Sequence, residues 1–177
     1  MDSQLFMVET EVNPDTKATD KSTVLSANGG LSFRIVFWDS PTAPDFELRA
    51  GYGMFVFPLE NAAFPGTRYA GAYGGGQFTI PFIEQVALIV GGHYQFAVTT
   101  SGKLRLLGDL DKAAAFRGEG GVRLTFAPFE FLVLGRFEQY TAAFKGVTDP
   151  KLSTTLYTDV ELTDQLFGGQ VLAGFAF

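Results

Sequence analysis

The chain predicts an all-β protein: an up-and-down antiparallel sheet closed into a barrel, most simply of eight strands. Three observations carry this expectation. Apolar and polar residues alternate along most of the chain, glycine interrupts nearly every apolar stretch, and apolar sets at i, i+3, i+4, i+7 are scarce. The connections between alternating segments are by turns short and long, which puts all short turns at one end of a closed sheet and all long loops at the other. Charges also sort by type. All six lysines (Lys17, Lys21, Lys103, Lys112, Lys145, Lys151) fall in the long connections or at their edge, whereas strand interiors carry arginine and carboxylate.

In order, the expected strands cover 4–12, 30–38, 45–57, 67–80, 84–99, 113–127, 130–143 and 166–177. The second sets Leu31, Phe33, Ile35 and Phe37 against Ser32, Arg34, Val36 and Trp38. The third sets Phe46, Leu48, Ala50, Tyr52, Met54 and Val56 against Glu47, Arg49, Gly51 and Gly53. The fourth is ambiguous, because a bulge at Gly74-Gly75-Gly76 would switch its faces. The fifth places Val86, Leu88, Val90, Tyr94, Phe96 and Val98 opposite Gln85, His93, Gln95 and Thr99. The sixth sets Phe116, Gly118, Gly120, Val122, Leu124 and Phe126 against Arg117, Glu119, Gly121, Arg123 and Thr125, and the seventh sets Phe131, Val133, Gly135 and Phe137 against Leu132, Leu134, Arg136 and Glu138. No linker divides the chain, so residues 1–177 read as a single domain.

Composition excludes several classes. With 177 residues, 15% aromatic and only 18% charged, the chain is not a disordered one. It has no cysteine, hence no disulfide framework and no thiolate metal site. A net charge of −6 argues against nucleic acid as a partner. No apolar run reaches the ~18 residues of a transmembrane helix. Met1-Asp2-Ser3-Gln4 has neither the basic nor the apolar part of a secretory signal. The expectation is that Met1 starts a mature chain whose signal is absent from it; a cytoplasmic protein is the alternative.

The decisive question is which face lies outermost. A water-soluble barrel turns its apolar face inward and covers the other with lysine. Here the polar face carries Glu9, Glu11, Glu47, Glu119 and Glu138 against Arg34, Arg49, Arg117, Arg123 and Arg136, with His93 and Gln95 beside them. The two sets balance. Guanidinium pairs carboxylate through two hydrogen bonds, which suits a narrow lumen filled by side chains. The apolar face is then outermost and needs an apolar solvent; a bilayer supplies it, and only a closed sheet crosses one without unpaired backbone groups. Phe82, Phe126, Phe129, Phe131, Phe177 and Trp38 are candidates for an interfacial aromatic girdle on the short-turn side, and Tyr69, Phe96, Tyr140 and Phe144 on the other. The alternative is a soluble β-sandwich or lipocalin-like binder with a wetted charged face.

The chain ends Gln170-Val171-Leu172-Ala173-Gly174-Phe175-Ala176-Phe177. This resembles the C-terminal assembly signal of bacterial outer-membrane barrels, matching at Gln170, Phe175 and Phe177, with Leu172 where that pattern has glycine. With the length and the hairpin rhythm, the chain resembles the small eight-stranded barrels of the OmpA transmembrane-domain and OmpX-like class. The resemblance implies a Gram-negative outer-membrane location. It implies contact with the lipid bilayer and lipopolysaccharide, recognition by the outer-membrane assembly machinery, and long loops presented for adhesion or to a protein partner. It brings no catalytic residue, no cofactor and no metal.

The expected function is therefore a non-enzymatic membrane anchor with a lumen plugged by Arg/Glu pairs. The alternative is a narrow, porin-like pore or small-molecule transporter. Other chemistry is weakly signalled. His93 would need Ser101 with Asp109 or Asp111 within reach to act as a base. Gly71-Ala72-Tyr73-Gly74-Gly75-Gly76 lacks the helix and Lys-Ser/Thr of a phosphate loop. The acidic loops around Asp15 and Asp20 and around Asp149, Asp159, Glu161 and Asp164 show no EF-hand spacing.

Overall fold

Alternation becomes strand along nearly the whole chain. A computed structural model describes the backbone of residues 2–13, 18–57, 67–100, 102–150 and 156–175; the side chains of 2–13, 18–24, 102, 103 and 105 lie outside the description. The strands are β1 (Asp2–Asn13), β2 (Ala18–Val36), β3 (Asp45–Phe57), β4 (Thr67–Ile83), β5 (Val86–Thr100), β6 (Asp109–Phe126), β7 (Phe129–Lys145) and β8 (Glu161–Phe175), with a short 3₁₀ turn at Gly102–Leu107. Each is antiparallel to the next, in chain order. Two-residue turns at Glu84-Gln85 and Ala127-Pro128, with the longer 37–44 turn, gather at one end. The other end carries the remaining connections, here called the long-loop end.

The sheet is strongly rolled. Tyr69 of β4 donates to Asp164 of β8 (2.8 Å), and Arg117 of β6 donates to Ser26 of β2 (3.2 Å). Strands four apart in a flat sheet lie roughly 19 Å apart, so these bonds require the wall to curl until opposite sides meet across a concave face. The closed barrel expected from sequence is nevertheless not what the described residues form. Their pairings run from β1 to β8 and none joins β8 to β1. The reason lies in register. Among the described residues β1 pairs with Ala18–Asn28 only, so Gly29–Val36 of β2 has a partner in β3 but none on its other side.

Period-2 geometry sends alternate side chains to opposite faces, and the two faces differ in chemistry. On the outer face Leu31 is 85% exposed, Phe33 66% and Phe167 80%, and Leu48, Tyr52, Phe78, Val90, Tyr94, Phe116 and Val133 are exposed as well. The girdle candidates Trp38, Phe82, Phe126, Phe129 and Phe131 are exposed near the short turns; Phe177 lies outside the described residues. Register carries this apolar surface across the wall. Ile35, Phe46, Phe78 and Val90 are successive partners from β2 to β5, and Leu88, Val122, Val133 and Val171 from β5 to β8. The buried apolar cluster is small and sits at the long-loop end of the concave face, around Phe55, Tyr69, Val98, Leu104, Leu107, Tyr140 and Phe144.

Several expectations change. Tyr69, Tyr140 and Phe144 are not girdle residues: they are buried in that cluster, where the rings of Phe55 and Tyr140 stack at 4.2 Å and those of Tyr69 and Tyr140 at 5.1 Å. Val98 and Thr99 exchange faces, because Ala97 takes a left-handed φ of 51° and shifts the register against β4, burying Val98 and exposing Thr99. The glycine triplet in β4 holds no bulge; pairing runs unbroken from Ala72 to Pro81. Lys21, Lys112 and Lys145 lie within strands, since β2, β6 and β7 extend further than alternation indicates, but all three sit at the long-loop end. The connection expected at 14–29 shrinks for the same reason, β2 starting at Ala18.

Candidate functional site

The concave face is built from inward-pointing positions of β2 to β8. In β3 these are Asp45, Glu47, Arg49, Gly51, Gly53 and Phe55; in β6 Ala115, Arg117, Glu119, Gly121 and Arg123; in β7 Leu134, Arg136, Glu138 and Tyr140. Spacing of two residues thus stacks charges one above another along the inside, and the roll of the sheet brings separate stacks together. Arg49 is the hub. Its Nε lies 3.1 Å from Glu47, its Nη1 3.1 Å from Glu119 across the interior, and its Nη2 donates to Gln77 Oε1 at 2.9 Å. Arg136 Nη2 reaches the other Glu119 oxygen at 3.4 Å.

A deeper pair lies toward the aromatic cluster. Arg117 Nη2 is 2.6 Å from Glu138 Oε1, both side chains being almost wholly buried. Glu138 Oε2 accepts from Tyr140 Oη at 2.8 Å. With its amide oxygen turned inward, Asn28 accepts from Arg117 Nη1 and Nη2 at 3.1 and 3.2 Å. Gln95 Nε2 bridges the carbonyls of Gly53 and Gly71 (2.8 and 3.0 Å). Burial strengthens each of these bonds and raises the cost of losing one partner.

Below the aromatic cluster the charges border a cavity of about 360 Å³, lined among others by Asn28, Ser32, Tyr73, His93, Gln170 and Leu172. Tyr73 lies over His93, ring centroids 4.8 Å apart. Room for its ring is made by glycine: a Cβ at Gly30 would meet the Tyr73 hydroxyl at 2.7 Å, and one at Gly51 its Cζ at 2.9 Å. Gly51→Ala should therefore destabilise the fold, whereas Gly29→Ala, with nothing within 4 Å of its Cβ, should be tolerated. Denaturant midpoints of the two variants check this.

Of the residues singled out from sequence, Glu47, Arg49, His93, Arg117, Glu119, Arg136 and Glu138 are brought together here. Arg34 is not: it pairs with Asp45 at the short-turn end, half in solvent. Arg123 stands between Ala87 and Leu132 in the register and does not line the cavity. The side chains of Glu9 and Glu11 lie outside the description. At the C-terminal pattern, Gln170 lines the cavity, Phe175 is exposed with its ring 5.2 Å from Phe129, and Phe177 is outside the described residues. Asn28, Tyr73, Gln77 and Asp45 were missed, and Asp164, expected in an acidic loop, lies in β8 and accepts from Tyr69. The odd positions of β4 would have revealed Tyr73 and Gln77 had the glycine triplet been read as straight strand.

Among the described residues, the two aspartates named with His93 stand far from it. His93 faces Arg117 in register, and Asp111 and Asp109 lie six and eight residues further along β6, roughly 20 Å or more at the rise of a strand. Ser101 is outside the described residues. Among the described residues no three His, Cys, Asp or Glu side chains converge as metal ligands. No family model, curated protein or solved structure matches the chain.

Proposed function

We propose that the chain is a membrane-embedded β-barrel of the bacterial outer membrane, eight-stranded when closed, acting as a non-enzymatic anchor that presents its long-loop end to a partner. One observation carries the reading: a rolled sheet whose outer face is continuous aromatic and aliphatic surface and whose inner face holds paired arginines and glutamates. An exposed apolar surface of this extent marks a membrane or protein contact. Hydrocarbon explains why the apolar residues encircle the wall instead of forming one patch. Its strands exceed the ~9–11 residues that a tilted crossing needs. Closure, which the described residues leave open, is favoured by the roll that already brings β4 to β8 and β2 to β6.

Within this reading the interior is a plug. The Arg49–Glu119–Arg136 bridge spans the lumen, and the rings of Phe55, Tyr69 and Tyr140 cover its long-loop end. Phe175 and Phe177 serve as the signal read by the assembly machinery, and the apolar belt meets lipid, including lipopolysaccharide. The test is electrophoretic. Folded into detergent micelles, the protein should resist SDS and migrate differently before and after boiling; a monodisperse monomer obtained without detergent overturns the reading. In planar bilayers it should give no steady single-channel openings, and such openings would favour the pore instead.

A further inference from the structure

β5 and β6 separate before either strand ends. Among the described residues their pairing stops at Gln95 opposite Ala115, although β5 continues to Thr100 and β6 begins at Asp109. Continued in the same register, Phe96 to Thr100 would face Ala114 to Leu110. Two irregularities prevent it. Ala97, with its φ of 51°, breaks the run of β5, and β6 shifts register against β7 between Leu110 and Lys112. The wall therefore forks toward the long-loop end, and a cavity of about 640 Å³ lies in the fork.

The lining shows that this fork passes through the wall. Tyr94, Ala114 and Ala143 stand at outer-face positions, whereas Val98, Ala113 and Ala142 stand at inner ones. Val98 and Ala142 belong to the buried aromatic cluster, and Ala113 packs against it. Alanine on β6 and β7 leaves space that larger side chains would fill. The Phe96 ring leans the other way, over β4, 3.9 Å from where a Cβ on Gly74 would stand. Charge gathers at one end of the cavity, at Asp111, Lys112 and Glu161.

These features specify an occupant. The mouth is continuous with the apolar outer face, beside exposed Tyr94, Phe96 and Phe116. Apolar cavities stay dry, and an empty one forfeits the dispersion contacts of its walls. Height fixes the rest. Ala97 lies roughly 36 Å along β5 from Val86 at the rise of a strand, or roughly 28 Å above it at a barrel's tilt of about 40°. With the short turns at one boundary of a hydrocarbon layer about 30 Å thick, the fork stands at the other boundary. Strand edges without a partner face ester oxygens and water there, and not bare hydrocarbon.

We propose that the fork takes one acyl chain of a surrounding membrane lipid. The chain enters between β5 and β6 and ends against Val98 and Ala142, with its ester and head group at the charged rim. The inference rests on the membrane reading, which supplies the lipid at the mouth.

The probe is a trace of phosphatidylcholine carrying a diazirine near the end of one chain, in dioleoylphosphatidylcholine vesicles that hold the folded protein. After illumination, residue-level mass spectrometry should find label on Val98, Ala113 and Ala142, which the wall otherwise shields, as well as on the belt residues Leu31, Phe33 and Phe167. Ala114→Phe, which fills the mouth from the outer face, should cut the inner label at least tenfold and leave the belt label unchanged. Ala143→Phe does the same from β7 and covers the case in which the first variant does not fold. Ala50→Phe, at an exposed outer-face position between Leu31 and Gly74, should change neither. Belt label without inner label, or inner label undiminished in the filled variants, overturns the lipid site while the membrane reading stands. Inner label obtained only from a free fatty acid with the same diazirine overturns the membrane lipid as its source. Absence of belt label overturns the membrane reading and the proposal with it.

Discussion

Val122→Arg should destabilise the protein by about 2–4 kcal/mol if its outer face meets lipid as we propose, the cost of a guanidinium on a lipid-facing strand near a bilayer midplane. Val122 is an outer-face residue at the centre of a row with Leu88, Val133 and Val171, so no polar neighbour is within its row to receive the charge. In water the same change at an exposed site shifts stability by less than about 0.5 kcal/mol. The two solvents are thus separated by several-fold in one measurement. Leu156→Arg, at an exposed position in the connection beyond β7, is the control and should be nearly neutral. Urea titration of protein folded into vesicles gives the comparison, and equal tolerance at both sites would remove the apolar belt from the membrane.

Glu138→Leu should cost about 3–5 kcal/mol, because it strands the buried guanidinium of Arg117. Removing both charges, in Arg117→Leu with Glu138→Leu, should cost less than either single change, since the desolvated pair is replaced by apolar volume and no lone charge remains. A double-mutant cycle on the same vesicle assay measures the coupling. Costs that simply add would mean that the pair, 2.6 Å apart, is energetically idle.

The facial pattern was legible because period 2 needs no tertiary information. Parity alone placed Glu47, Arg49, Arg117, Glu119, Arg136 and Glu138 on one side of three strands, and the same parity in β7 already puts Tyr140 and Phe144 with them. Their assignment to an outer girdle ignored it, on the strength of aromatic identity. Strand ends were underestimated wherever polar residues stop alternating with apolar ones, as in 18–29 of β2 and 161–165 of β8. The shift at Ala97 was invisible, since alanine carries no sign of a positive φ. Gln95 read only as a polar neighbour of the charges, whereas its two hydrogen bonds to carbonyls of β3 and β4 make it a brace between strands. Which guanidinium meets which carboxylate depends on the roll of the sheet, and no local pattern encodes that.

β2 and β8 run in the same direction, each from the long-loop end toward the short turns, and among the described residues Gly29–Val36 has no partner on its free side. In hydrocarbon every stranded peptide N–H or C=O costs several kcal/mol, so for a lipid-embedded wall that seam is a fault line. Zipping it shut and entering the bilayer become one coupled equilibrium. A lesion there would lower membrane residence before it loosened the hairpins on the far side.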